Sequence, residues 1–237
     1  EGSASCRSLV EAQDSSVGLH LRKHLRPGEN KSASVKKNAP IARRMASPSE
    51  FSSEVRTKLR EWFVRYGPNP KFEIEARIRD VTEVGFNSVL QKLLSNRGWS
   101  NTPAPEDTLD LVHATGVRET RHMTGASFLR KQKWDNVDVM TRERSVRFAV
   151  ASEEATREDT SPVQTWRWKQ RTTFVHKRAF KFELTKVKQG GSEQEARGSE
   201  PIFEIEIEFC GQTEAVASNH DYCVDSLLMK VSAGARV

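Results

Sequence analysis

The chain has 237 residues, of which 36% are hydrophobic and 30% charged, with a mean hydropathy of −0.66. That length suits one domain with a tail. No apolar run approaches the roughly 18 residues of a membrane span and no signal-peptide core is visible, so no membrane partner is expected. Cys6, Cys210 and Cys223 form an odd set without metal-ligand spacing, which argues against a disulfide framework or a zinc site and for a reducing compartment. A net charge of +6 and a pI near 9.3 favour a polyanionic partner, unless the excess charge sits in a tail that only aids solubility.

Residues 1–48 read as a basic, disordered tail, rich in Lys, Arg, Ser, Pro and Gly and without apolar periodicity. The remainder, 49–237, reads as the folded domain. It opens with a helix capped by Ser47 or Ser49, with Glu50 and Glu54 at its positive end. Phe51, Val55, Leu59, Trp62 and Phe63 form its apolar stripe, and Gly67, Pro68 and Pro70 end it. A strand over about 71–79 follows. A second helix is capped by Thr82, buries Phe86, Val89, Leu90, Leu93 and Leu94, and ends at Gly98. The stretch 101–108 reads as a loop.

From about 108 to 209 the period changes to two, the signature of strands joined by hydrophilic turns. A short helix over about 218–230 carries Leu227, Leu228 and Met229. Histidines are scattered without metal spacing. No cysteine–histidine pair suggests a thiol nucleophile, and no glycine-rich phosphate loop is present.

The strand faces are unusual. In "FEIEIEF", Glu204, Glu206 and Glu208 share one face, as do Glu73, Glu75 and Arg77 in "FEIEAR". Arg167, Lys169 and Arg171 share another, Lys181, Glu183 and Thr185 a fourth, and Arg147 and Glu153 lie on a fifth. The opposite faces hold Trp166, Trp168, Phe182, Ile205 and Ile207. A solvated sheet face normally mixes signs, because like charges in a row repel. Rows of one sign make sense if a divalent cation neutralises the carboxylates and phosphate oxygens neutralise the arginines and lysines. A carboxylate-bound metal beside such cations suits metal-assisted phosphoryl transfer or hydrolysis.

On these residues the chain resembles the metal-dependent RNA 5′-triphosphatases of the triphosphate tunnel superfamily, the fungal, protozoal and DNA-virus mRNA-capping type. "EIEAR" and "EIEIE" look like the family's paired glutamate motifs, and "RWKQR", "KFELT" and "VRFAVASEE" look like its interior strands, in the right order across about 70–210. Departures are few: Arg77 stands where related tunnel phosphatases carry Lys, Lys181 where the capping enzymes commonly have Arg, and Glu183 where they commonly have Asp.

The resemblance implies a mainly β fold with flanking helices (α+β): an eight-stranded antiparallel β-barrel enclosing a charged tunnel. It implies that Glu73, Glu75 and Glu208 ligate Mg²⁺ or Mn²⁺, that Glu206 orients the attacking water, and that Glu204 braces basic residues. Lys169 and Arg171 would hold the γ-phosphate. Lys181, Glu183 and Thr185 would support the tunnel floor, Arg147 and Glu153 its wall, and Arg167 would add a substrate contact. Lys133 and Arg121, with Lys131 and Arg118, are further basic candidates whose register the sequence leaves open. The implied substrate is 5′-triphosphate RNA, with a separate guanylyltransferase as partner, in the nucleus or, for a viral protein, a cytoplasmic factory. A tripolyphosphatase or nucleotide phosphatase, and a non-catalytic RNA-binding barrel, are the alternatives.

Overall fold

In the computed structural model the described residues are 51–210 and 219–236; the basic tail expected over 1–48 lies outside them. Eight strands run in chain order as β1 (Phe72–Val81), β2 (Pro105–His113), β3 (Val117–His122), β4 (Gly125–Met140), β5 (Ser145–Ala155), β6 (Val163–His176), β7 (Phe180–Gly190) and β8 (Ile202–Phe209). Helix α1 (Ser53–Tyr66) precedes β1, α2 (Glu83–Leu94) follows it, α3 (Glu193–Gly198) joins β7 to β8, and α4 is His220–Ala235. The strands close into one antiparallel barrel in the order β1-β5-β4-β3-β2-β6-β7-β8. Closure leaves no free sheet edge, which a strand-rich chain must otherwise protect.

The apolar core lies outside the barrel wall. Ile74, Ala76 and Ile78 of β1 join Val146, Phe148 and Val150 of β5 and Ile205, Ile207 and Phe209 of β8. They pack against Leu59 and Phe63 of α1 and Leu227, Leu228 and Val231 of α4. Phe63 meets Phe209 edge to face at 5.2 Å, and Phe51 meets Phe148 at 5.6 Å. Each fully buried side chain of this size contributes about 1.5–3 kcal/mol. Because the helices take up the outer face, the alternating inner face is left to the charged rows.

Several local expectations are corrected. Ser52, not Ser47 or Ser49, caps α1, its hydroxyl accepting from the Val55 amide. Leu94 is half exposed, since α2 ends there and turns its last residue outward. The stretch read as a loop already starts β2 at Pro105, whose residues pair with β6 up to Thr172. The terminal helix runs five residues beyond its expected end, burying Val231, Ser232, Gly234 and Ala235. Within the hydrophilic β7–β8 connection, α3 folds back so closely that a Cβ on Gly190 would sit 2.7 Å from the Ala196 nitrogen.

Candidate active site

The barrel encloses a cavity of about 600 Å³ whose wall is mostly charged. Register explains it. Glu75 pairs with Glu208 and Arg77 with Glu206 across β1–β8. Lys181 pairs with Glu208, Glu183 with Glu206 and Thr185 with Glu204 across β7–β8. The two acidic stretches, far apart in sequence, are therefore neighbours in one sheet and point inward together.

At one end of the tunnel, Glu73, Glu75 and Glu208 gather with Glu153. Lys131 Nζ stands among them, donating to Glu73 Oε1 at 3.0 Å and Glu75 Oε2 at 3.2 Å, with Glu153 Oε1 at 3.6 Å. Burial first, and then the neighbouring Glu153, Glu208 and Glu75, push the Glu73 carboxyl up to about 8 against the pull of Lys131. Burial and Glu183 likewise raise Glu208, against Lys181, whose Nζ donates to it at 2.8 Å. Glu73 Oε2 is buried and has no hydrogen-bond partner. Among the described residues no three carboxylate, histidine or cysteine groups are yet drawn together at ligand spacing, and the lysine ammonium takes the central place. An orphaned carboxylate oxygen beside two more glutamates suits a hard divalent cation.

Midway along the tunnel, burial alone would raise Glu206, but the Arg77 and Arg171 guanidiniums hold it below the usual carboxylate range. Arg77 Nε donates to it at 2.7 Å, and Arg171 Nη2 lies 3.8 Å from its second oxygen. Arg171 also pairs with Glu183 and donates to Thr185 Oγ1 at 3.1 Å. Arg167 Nη2 donates to Glu204 Oε1 at 2.8 Å. Burial lowers Lys169, and Arg171 and Arg118 lower it further, against the attraction of Asp110. The Nε atoms of Arg118 and Arg167 are buried without acceptors. A buried donor left unpaired costs about 1–3 kcal/mol.

Nearly every residue singled out in the sequence lines or touches this tunnel. Lys133 faces in, just before an irregularity in β4, and has no carboxylate partner among the described residues. Arg147 sits towards the far end, its guanidinium donating twice to Asp138, at 2.8 and 2.6 Å. Glu153 accepts from Arg118 at 2.9 Å. Arg121 is the exception. Odd positions of β3 face outward, so Arg121 lies on the outer wall, half exposed, donating to Glu119 at 2.6 Å, while Arg118 and Thr120 line the tunnel. Asp110 was missed. Its side chain is fully buried, pairs with Lys169 at 2.5 Å and accepts from Thr120 at 2.8 Å. It sits within the apolar run "LDLVH", where one acid looks like a solvent-side residue.

No protein-family model and no curated protein sequence matches the chain. Solved structures do share its fold. The RNA triphosphatase domain of the trifunctional mimivirus mRNA capping enzyme superposes with a TM-score of 0.64 at 13% identity, covering 79% of this chain and 99% of that one. The S. pombe Pct1 RNA triphosphatase gives 0.58 at 15% identity, covering 76% and 87%. The same enzyme in complex with the Spt5 CTD gives 0.60 at 14% identity, covering 77% and 91%. The chain thus has the closed tunnel barrel of these RNA triphosphatases.

Proposed function

We propose that the protein is a divalent-metal-dependent RNA 5′-triphosphatase, which removes the γ-phosphate of triphosphate-ended RNA as the first step of cap formation. The observation that carries this reading is the convergence of Glu75 and Glu208 on paired strands, inside the tunnel that also holds Lys169 and Arg171. The fold shared with RNA triphosphatase structures supports it. Addition of the cap nucleotide would fall to a separate guanylyltransferase.

Glu73, Glu75 and Glu208 would hold the Mg²⁺ or Mn²⁺, which when bound offsets negative charge on a γ-phosphate oxygen. Lys169 and Arg171 hold the same phosphoryl group through charge-assisted hydrogen bonds. Glu206 stays ionised between its two guanidiniums and accepts a hydrogen bond from water, orienting it towards the γ-phosphorus. Its lowered basicity suits orientation rather than proton capture. The water oxygen forms the new P–O bond as the bond from the γ-phosphorus to the β–γ bridging oxygen breaks. Phosphate leaves, the RNA keeps a 5′-diphosphate, and the water proton passes to the departing phosphate or solvent. Positioning and electrostatics supply the rate.

The lining is poor in rings, Phe72 and His122 being its aromatic members, so the tunnel recognises polyphosphate rather than a base. That favours one second reading, a phosphatase of tripolyphosphate or free nucleotides. It weighs against a base-stacking RNA-binding barrel, since Trp166 and Trp168 are on the outer wall and the Arg197 guanidinium covers Trp168 at 4.2 Å. The test is phosphate release from γ-labelled triphosphate RNA, ATP and tripolyphosphate, with and without divalent metal. The parent chain should release phosphate from RNA only with metal, and Glu73→Ala and Glu206→Gln should each lose on the order of 10²–10³-fold or more. Metal-independent release, or full turnover by Glu206→Gln, would refute the reading.

A further inference from the structure

The β6–β7 turn has a backbone that its sequence does not favour. Lys177 and Arg178 both have positive φ, 52° and 55°, and the Ala179 amide donates to the His176 carbonyl at 3.1 Å. Two central residues at positive φ mark a type I′ turn, for which Asn-Gly is preferred. Long side chains in that region cost on the order of 1–3 kcal/mol each. The chain nevertheless places two adjacent cations there, both exposed.

Their surroundings add charge of the same sign. Lys230 of α4 lies 4.0 Å from the centre of the Phe180 ring, one residue beyond the turn. Burial, and then repulsion from Lys177, lower its ammonium to about 8. Burial, Lys230 and Lys177 lower His176 as well. Among the described residues no carboxylate pairs with Lys177, Arg178 or Lys230. A strained cluster of like charges, kept where relaxed Asn-Gly would fit, points to a polyanion that binds it.

Register fixes where that polyanion would lie. His176 pairs with Phe180, Phe180 with Phe209 and Lys181 with Glu208, so the turn stands at the end of the barrel that holds Glu73 and Glu208. Arg178 is three residues, about 10 Å of strand, from Lys181. We propose that this turn, with Lys230, is a landing for the phosphodiester backbone of the RNA that follows the 5′ end into the tunnel. The inference rests on the RNA reading above and gives it a source of selectivity: a free nucleotide or tripolyphosphate fills the tunnel but does not reach the turn.

The test replaces the turn by the pair that its backbone prefers, Lys177→Asn with Arg178→Gly, so the fold should be retained or stabilised. Binding of a 5′-hydroxyl RNA of about 20 nucleotides is followed by fluorescence anisotropy across a salt series, alongside turnover of triphosphate RNA and of ATP. The variant should bind RNA about tenfold more weakly at low salt, and its log–log salt slope should shrink by about 1.4, at about 0.7 per single-strand phosphate contact. KM for RNA should rise in step, with ATP turnover unchanged. Unchanged RNA affinity, an equal loss for RNA and ATP, or poly-glutamate binding the same turn more tightly than RNA would overturn the proposal. If the parent hydrolyses ATP but not RNA, the RNA part of the functional reading fails, and the hydroxyl-RNA titration still decides the turn separately.

Discussion

Lys131 sits where a metal would be expected, with its ammonium between Glu73 and Glu75. It is held charged despite burial by Glu75, Glu73 and Glu153. A resident cation of this kind keeps like-charged carboxylates together, and it would compete with any metal that the same carboxylates bind. Lys131→Met should therefore tighten Mn²⁺ binding about tenfold, measured by titration calorimetry without substrate; an unchanged or weaker affinity would show that the lysine does not compete. How far single residues were legible depended on their strand. Glu73, Glu75, Glu206 and Glu208, and the row Arg167, Lys169 and Arg171, stand in clean period-two runs whose opposite faces are large and apolar, so face and sign could both be read. Arg118 and Arg121 belong to "RETR", which offers a cation in either register, and only pairing with β2 and β4 decides between them. Asp110 carried no signal because its partner Lys169 comes from a strand that is distant in sequence.

At the scale of elements, the helices serve the tunnel by taking the apolar load from its outer face. Their stripes of Leu, Phe, Val and Trp made α1 and most of α2 readable. α4 was read too short because its last turn packs with small residues: Gly234 lets the helix close on β1 and β8, where an added Cβ would meet Ile78 Cδ1 at 3.0 Å. The same helix carries Lys230, whose folded value of about 8 lies below its ordinary 10.5. A depressed lysine adds stability above its unfolded value and loses it as pH falls through the folded one. The parent should therefore gain stability from pH 8 towards 10.5 on this account. Lys230→Met, which has no ammonium to bury, should melt higher than the parent at pH 7, and the gap should narrow by pH 10. Equal melting differences at the two pH values would mean that the ammonium is not what burial penalises.

For the barrel as a whole, charge is arranged inside out among the described residues, with the apolar core outside the wall and rows of ionised groups within it. Ions taken from water cost several kcal/mol each unless paired, and the tunnel pairs most but not all of them. Ligand binding should therefore show up as stability. At 100 times its dissociation constant, a divalent metal held there would add about 2.7 kcal/mol. For a domain of this size that raises the melting temperature by roughly 5–11 °C. A chelator should reverse the rise, and Glu75→Gln should flatten it; a metal response that survives Glu75→Gln would place the ion elsewhere. The closed strand order has one more consequence, for synthesis. β1 is flanked by β5 and β8, and Arg77 meets Glu206 across 129 residues of chain. At about 5–20 residues per second, a ribosome leaves β1 waiting roughly 6–26 s for its last neighbour to be translated. Until then the β8 edge of β1 stays open, on a strand with glutamates on one face and isoleucines on the other, even once β5 has covered its other edge, which makes the early chain a natural client for chaperones.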